Sequence, residues 1–131
     1  MKKTLLLNSV LSELIASLGH GDMVVIGDAG LPIPPETRRI DLALCRGIPP
    51  LLETVRVIAS EMQVEKALIA TETGQRSPHI RDGLGQLLPN TPFEEVSHEQ
   101  LKALCRQARA VVRTGEYTPY ANVILVAGVV F

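Results

Sequence analysis

Aromatic residues are nearly missing from this chain: its 131 residues include no Trp, and two Tyr and two Phe make up only 3%. The core must therefore be aliphatic, drawn from a hydrophobic fraction of 46%. An excess of charge of one sign is also missing. Lys and Arg total 13 against 14 Asp and Glu, for a formal net charge of −1. With neither a basic footprint nor stacking aromatics, no nucleic-acid partner is expected. Long apolar runs are absent as well. Met1-Lys2-Lys3 and Leu5-Leu6-Leu7 begin like an export signal, but Asn8, Ser9, Ser12 and Glu13 break the run before it reaches the length of a signal core. Nothing approaches the roughly 20 apolar residues of a membrane span. Cys45 and Cys105 are far apart and follow no ligand or redox spacing. The expectation is a cytoplasmic protein with no membrane partner, folded as one domain over residues 1–131.

Motifs that would announce a cofactor are missing too. Gly83-Leu84-Gly85 lacks the third glycine and the preceding strand of a dinucleotide fingerprint, and no Walker-type loop is present. No histidine pair has metal-ligand spacing on a helix, and there is no Gly-x-Ser-x-Gly elbow. An enzyme built from this sequence is expected to work by proton transfer and hydrogen bonding, with no cofactor and no metal.

What is there alternates between helical and strand patterns. Asn8 or Ser9 can cap a first helix with the apolar face Val10, Leu11, Leu14, Ile15 and Leu18, ended by Gly19. Met23–Ile26 reads as a buried strand, and Arg39–Leu44 as a short alternating one. After Pro49 and Pro50 a second helix buries Leu51, Leu52, Val55, Ile58, Ala59 and Met62. Lys66–Ala70 is the next strand. Thr71–Pro89 is left unassigned, because glycines 74, 83 and 85 weaken a helix pattern there. Phe93–Val96 is a strand, and Ser97-His98-Glu99-Gln100 has the form of a capping box before a helix burying Leu101, Leu104, Cys105 and Ala108. Ala110–Val112 and Val123–Ala127 read as neighbouring buried strands. Short apolar strands between amphipathic helices predict an α/β fold, a three-layer α/β/α domain with a mainly parallel central sheet.

The connection between the last two strands carries chemistry. Glu116, Tyr117, Tyr120 and Asn122 place a carboxylate, two phenols and an amide within seven residues. That set suits a small polar ligand held on a rigid scaffold, or else a solvated loop whose Tyr rings cover the core. His20 follows the end of the first helix, where an imidazole either caps the last carbonyls or, when protonated, stands ready to give a proton. Asp28 follows the strand Met23–Ile26, at the carboxyl end where α/β sheets place their ligands, and it can alternatively cap its own turn before Gly30. His20 and Asp28 flank the same strand at opposite ends. One site can use both only if the strand bends or a neighbouring subunit contributes. His98, in the first turn of its helix, is placed to bond a hydroxyl as a neutral ring or to be simply exposed. His79 has no partner in the pattern.

Leu18-Gly19-His20-Gly21-Asp22, Asp28-Ala29-Gly30-Leu31-Pro32 and the run Arg113–Asn122 together resemble the sugar mutarotase family, in its ribose branch rather than its fucose branch. The resemblance extends from about Leu7 to Phe131 and is weakest over Thr71–Pro92. It implies an enzyme that interconverts the pyranose and furanose rings of D-ribose, supplying the form used in ribose catabolism. It also implies a ring-like homo-oligomer, a decamer, with sites between subunits. By the same resemblance His20 is the proton donor, and Asp28, His98, Tyr120, Ala121 and Asn122 bind the sugar. The chemistry agrees with the inventory, because opening a hemiacetal requires a proton on the ring oxygen and loss of one from the anomeric hydroxyl. Such acid–base help is worth about 10²–10⁴-fold. The alternative is a non-catalytic sugar-binding accessory protein for a ribose transporter or kinase, which would not need a protonatable His20. Tyr120–Asn122 and the apolar Val129–Phe131 are expected to be covered by another copy of the chain.

Overall fold

The computed structural model describes residues 1–131. Helix α1 (Ser9–Ser17) starts at Asn8, whose side chain accepts a hydrogen bond from the Leu11 amide, and it ends at Leu18, one residue before the expected Gly19. Six strands form one sheet in the order β2-β5-β1-β6-β3-β4. They are β1 (Met23–Gly27), β2 (Arg39–Asp41), β3 (Val64–Ala70), β4 (Phe93–Val96), β5 (Ala110–Arg113) and β6 (Val123–Ala127). All pairs are parallel except those that β6 makes with β1 and β3.

The expected three-layer arrangement holds. Val24 and Ile26 face one cluster while Val25 faces the other; Val123, Leu125 and Ala127 alternate in the same way with Ile124 and Val126. A sheet covered on both faces explains why these strands read as unbroken apolar runs. One face is packed by α1, by α2 (Leu51–Ala59) through Leu51, Val55 and Ile58, and by α4 (Pro78–Leu87) through Ile80 and Leu84. The other face is covered by α5 (His98–Leu104) through Leu101, by Cys105 in the short 3-10 turn that follows, and by Leu31. No helix is long and apolar enough to cross a membrane.

Two expectations need correction, and one open segment is resolved. Ala110–Val112 and Val123–Ala127 are not neighbours, because β1 lies between them and pairs with both. Strand β2 stops at Asp41, where the carboxylate accepts from the Ala43 amide and turns the chain away, leaving Leu44 80% exposed. The segment left unassigned in the sequence holds two helices, α3 (Thr71–Arg76) and α4. Packing outweighs propensity here. A β-carbon on Gly83 would lie 2.5 Å from Leu52 Cδ1, so the glycine is what lets α2 approach α4.

The first correction also explains the site. Five strands run one way, so the ends of β1, β3, β4 and β5 all lie at a single edge of the sheet. From β5 the chain must cross over the end of β1 before returning as the antiparallel β6. Residues 114–122 make that crossing, and they carry the polar groups.

Candidate active site

Asp28 is the first residue past β1, directly beneath the crossing segment. Its backbone amide donates to Asn122 Oδ1 at 2.9 Å, and Asn122 Nδ2 donates back to Asp28 Oδ2 at 3.0 Å. Asp28 Oδ1 accepts from the Gly30 amide at 2.9 Å. Asp28 therefore caps its own turn, and it also faces the polar segment. Asn122 is fully buried, and a β-carbon on Gly27 would lie 3.0 Å from its Oδ1 and 2.6 Å from Leu31 Cδ2. Glycine at the end of β1 is thus what allows the amide to reach Asp28. Burial raises the Asp28 pKa above the usual carboxylate value, and the hydrogen bonds from Gly30 and Asn122 and the nearby His98 only partly offset it.

His98 opens α5 behind the capping box of Ser97 and Gln100. Its backbone amide donates to Glu72 Oε2 at 2.9 Å, and its ring meets Tyr120 edge to face with centroids 5.0 Å apart. The ring is half-buried, and its Nδ1 is buried without a hydrogen-bond partner. A buried polar atom in that state is costly unless a ligand or water meets it. Tyr120 takes φ 59°, a left-handed conformation that costs a side-chain-bearing residue roughly 1–2 kcal/mol. Ala121 and Asn122 behind it are buried within the protomer, so the expectation that another copy covers Tyr120–Asn122 fails for those two residues.

Around these groups the edge is braced. Thr114 donates its amide and hydroxyl to the Gly27 carbonyl, at 3.0 and 2.8 Å. Arg113 donates to the Ala29 carbonyl at 3.1 Å and bonds both oxygens of Asp41. Glu116 accepts from the Leu51 amide at the start of α2 and from the amide and hydroxyl of Thr118. Burial pushes the Glu116 pKa up, but these hydrogen bonds together outweigh it and hold the carboxyl below its ordinary value. Asp28, Ala29, Gly30, Arg113, Glu116, Tyr117, Thr118 and Pro119 line an open cleft of about 320 Å³ against Asp28. Tyr117 is 60% exposed and does not cover the core. Glu72, Thr73 and Ser77, which also hold this edge, escaped the sequence reading because they lie in the segment with no legible pattern.

His20 is elsewhere. The turn Gly19–Asp22 is pinned to the far end of β6 by Gly21 N to Ala127 O and Ala127 N to Asp22 O, both at 2.8 Å. His20 Nε2 lies 2.5 Å from Glu65 Oε2, with the two side chains 61% and 51% exposed. An exposed pair of this kind adds little stability, but it orients the ring. The strand between His20 and Asp28 is extended, and its five residues span roughly 16 Å. One protomer therefore brings together Asp28, His98, Tyr120 and Asn122, but not His20. His79 is exposed on α4. No group of three or more His, Cys, Asp or Glu side chains is placed to hold a metal.

The pattern of the RbsD / FucU transport protein family matches residues 1–130. The chain belongs to this family. Among RbsD / FucU relatives it is 59% identical to a D-ribose pyranase of Coprothermobacter proteolyticus and 58% identical to one of Symbiobacterium thermophilum, each alignment covering all of both chains. Bacillus subtilis RbsD, solved in complex with D-ribose, superposes with a TM-score of 0.96 at 47% identity over the whole of both chains. The fucose mutarotase of Streptococcus pneumoniae, solved with L-fucose, gives a TM-score of 0.81 at 26% identity, covering 95% of this chain and 94% of that one. The ribose branch is thus nearer than the fucose branch in both sequence and backbone.

Proposed function

We propose that this protein is an intramolecular isomerase that interconverts the pyranose and furanose forms of D-ribose by acid–base ring opening. The observation that carries the reading is the 59% identity, over the full length, to a D-ribose pyranase. The site supports it chemically. Asp28 and Asn122 offer an acceptor and a donor to sugar hydroxyls, and the unpartnered His98 Nδ1 offers one more group. Tyr120, edge-on to His98, and Ala121, buried behind it, complete the proposed sugar-binding set. These residues hold the hydroxyls and the open-chain aldehyde while the ring recloses. As the bond from the anomeric carbon to the ring oxygen breaks, the ring oxygen gains a proton and the anomeric hydroxyl loses one. Reclosure adds a different hydroxyl to the aldehyde with the reverse proton transfers, and side chains can supply and take these protons.

His20 is the proposed proton donor, and its place at the opposite edge of the sheet has a direct consequence. A site that contains both His20 and Asp28 is shared between subunits, His20 coming from one copy and the sugar-binding groups from the next. The exposed Val129, Val130 and Phe131 beside the His20 edge favour this, since a covered apolar tail is what such an assembly needs. The proposed assembly is a ring-like homo-oligomer, a decamer, in the cytoplasm.

Magnetisation-exchange NMR on D-ribose tests the activity. The protein should speed exchange between pyranose and furanose signals, and should do so after treatment with a chelator. Because the family description includes transport, the second reading is an accessory sugar binder. Tight ribose binding without faster exchange would select that reading instead.

A further inference from the structure

Helix α3 is a six-residue segment at the end of β3, and Glu72, Thr73 and its C-cap Ser77 each bond a residue of the site or its crossing segment. Glu72 Oε2 accepts from the His98 amide at 2.9 Å. Thr73 Oγ1 donates to the Tyr120 carbonyl at 2.7 Å, and Ser77 Oγ donates to the Pro119 carbonyl at 2.8 Å. Thr73 and Ser77 are 0% and 2% exposed. Four residues apart along the helix, they share one face. Resting on the isomerase reading above, we propose that Thr73 and Ser77 are positioning residues for sugar binding, acting through the Pro119-Tyr120 backbone.

The argument runs through one carbonyl. Tyr120 O accepts from Thr73 Oγ1 and also from the Asn122 amide at 3.0 Å, which closes a tight turn around Ala121. The orientation of that carbonyl therefore sets where the Asn122 side chain starts. Tyr120 stands at φ 59°, a conformation its β-carbon disfavours, so the turn needs an outside hold. The two hydroxyls supply it from a helix that also holds His98 through Glu72. The two halves of the sugar site, on α5 and on the crossing segment, are thereby referred to one rigid element. Neither hydroxyl touches the space in front of Asp28, so the role is positioning.

The test is Thr73→Val, which removes the hydroxyl and keeps the shape. KM for D-ribose is expected to rise roughly 3- to 10-fold, the range of one lost hydrogen bond, with a smaller change in kcat. Thr73→Ser should restore the wild-type value. Thr37→Val is the control, since Thr37 is another buried hydroxyl, bonded to the Cys105 carbonyl on the far side of the molecule. It should lower Tm and leave KM unchanged. Thr73→Val and Asn122→Ala should not add, because they act along one chain of contacts. A Thr73→Val protein that loses Tm like Thr37→Val but keeps KM, or full additivity with Asn122→Ala, overturns the proposal. Should Thr73→Val not fold, Ser77→Ala makes the same test. If the wild type does not accelerate ribose exchange, the isomerase reading is what fails. Backbone chemical shifts of Tyr120–Asn122 in sugar-free Thr73→Val then decide the positioning claim, and unchanged shifts overturn it.

Discussion

At the carboxyl end of β1, Asp28 has both side-chain oxygens and its amide engaged, and the Asn122 that holds it is fully buried. At the other end of the same strand His20 is 61% exposed and has one side-chain partner, Glu65. The difference follows from topology. Parallel strands deliver Asp28, Thr71, Ser97 and Thr114 to one edge, and the crossing segment closes over them. At the opposite edge His20 sits in the short turn Gly19–Asp22, beside the apolar tail, and no segment closes over it as residues 114–122 close over Asp28. The proposed recognition groups thus lie together within the protomer, whereas the proposed proton donor lies on an open surface. On the proposed reading, in which subunits share the site, a lone chain would hold the sugar-binding groups without the proton donor.

The sharpest way to break that contrast is at His20. His20→Ala should lower the exchange rate by about 10²–10⁴-fold, the usual contribution of a general acid, while D-ribose still binds. Near-normal exchange by NMR would move the acid to the braced edge, with His98 as its best candidate. The next test asks whether the two edges meet across subunits. His20→Ala and Asp28→Ala should each be nearly inactive, yet after mixed refolding roughly a quarter of the sites should hold both native residues and recover activity. A mixture as inactive as its parts would put the two residues in independent sites.

Smaller effects sharpen the braced side. Asn122→Ala should weaken ribose binding by about 1–3 kcal/mol, because Asp28 N loses its acceptor and the sugar loses a donor. Calorimetric titration reads this directly, and a variant that loses rate without affinity would contradict it. The smallest effect is in the pH dependence of stability. Glu116 is held below the ordinary carboxylate value of 4.5, so its contribution to folding is present above that value and is lost as pH falls through the lowered one. Asp28 has the opposite sign: its raised pKa makes ionisation unfavourable in the fold, a penalty relieved as pH falls through the folded value. Glu116→Gln should therefore be less stable than wild type at neutral pH, with the Tm gap closing in acid. A gap constant with pH would mean that the charge of Glu116 does not hold the start of α2.

The sequence by itself determined the classes of element and most of their limits. Period-two and unbroken apolar runs marked the strands, Ser97 and Gln100 marked the start of α5, and the scarcity of aromatics implied the aliphatic core that forms. It also placed Asp28, His98, Tyr120 and Asn122 as candidates, because polar groups at strand ends are out of place unless they meet a ligand or one another. Only the tertiary structure decided the rest. That β1 separates β5 from β6 is a matter of strand order, which local periodicity does not encode, and this order is what carries Asn122 over Asp28. That α4 is a helix despite Gly83 rests on packing, since Leu52 of another helix fills the space a β-carbon there would occupy. The roles of Thr73 and Ser77 were hidden for a related reason: a hydroxyl has no meaning in sequence until the carbonyl it reaches, more than forty residues away, has been brought beside it.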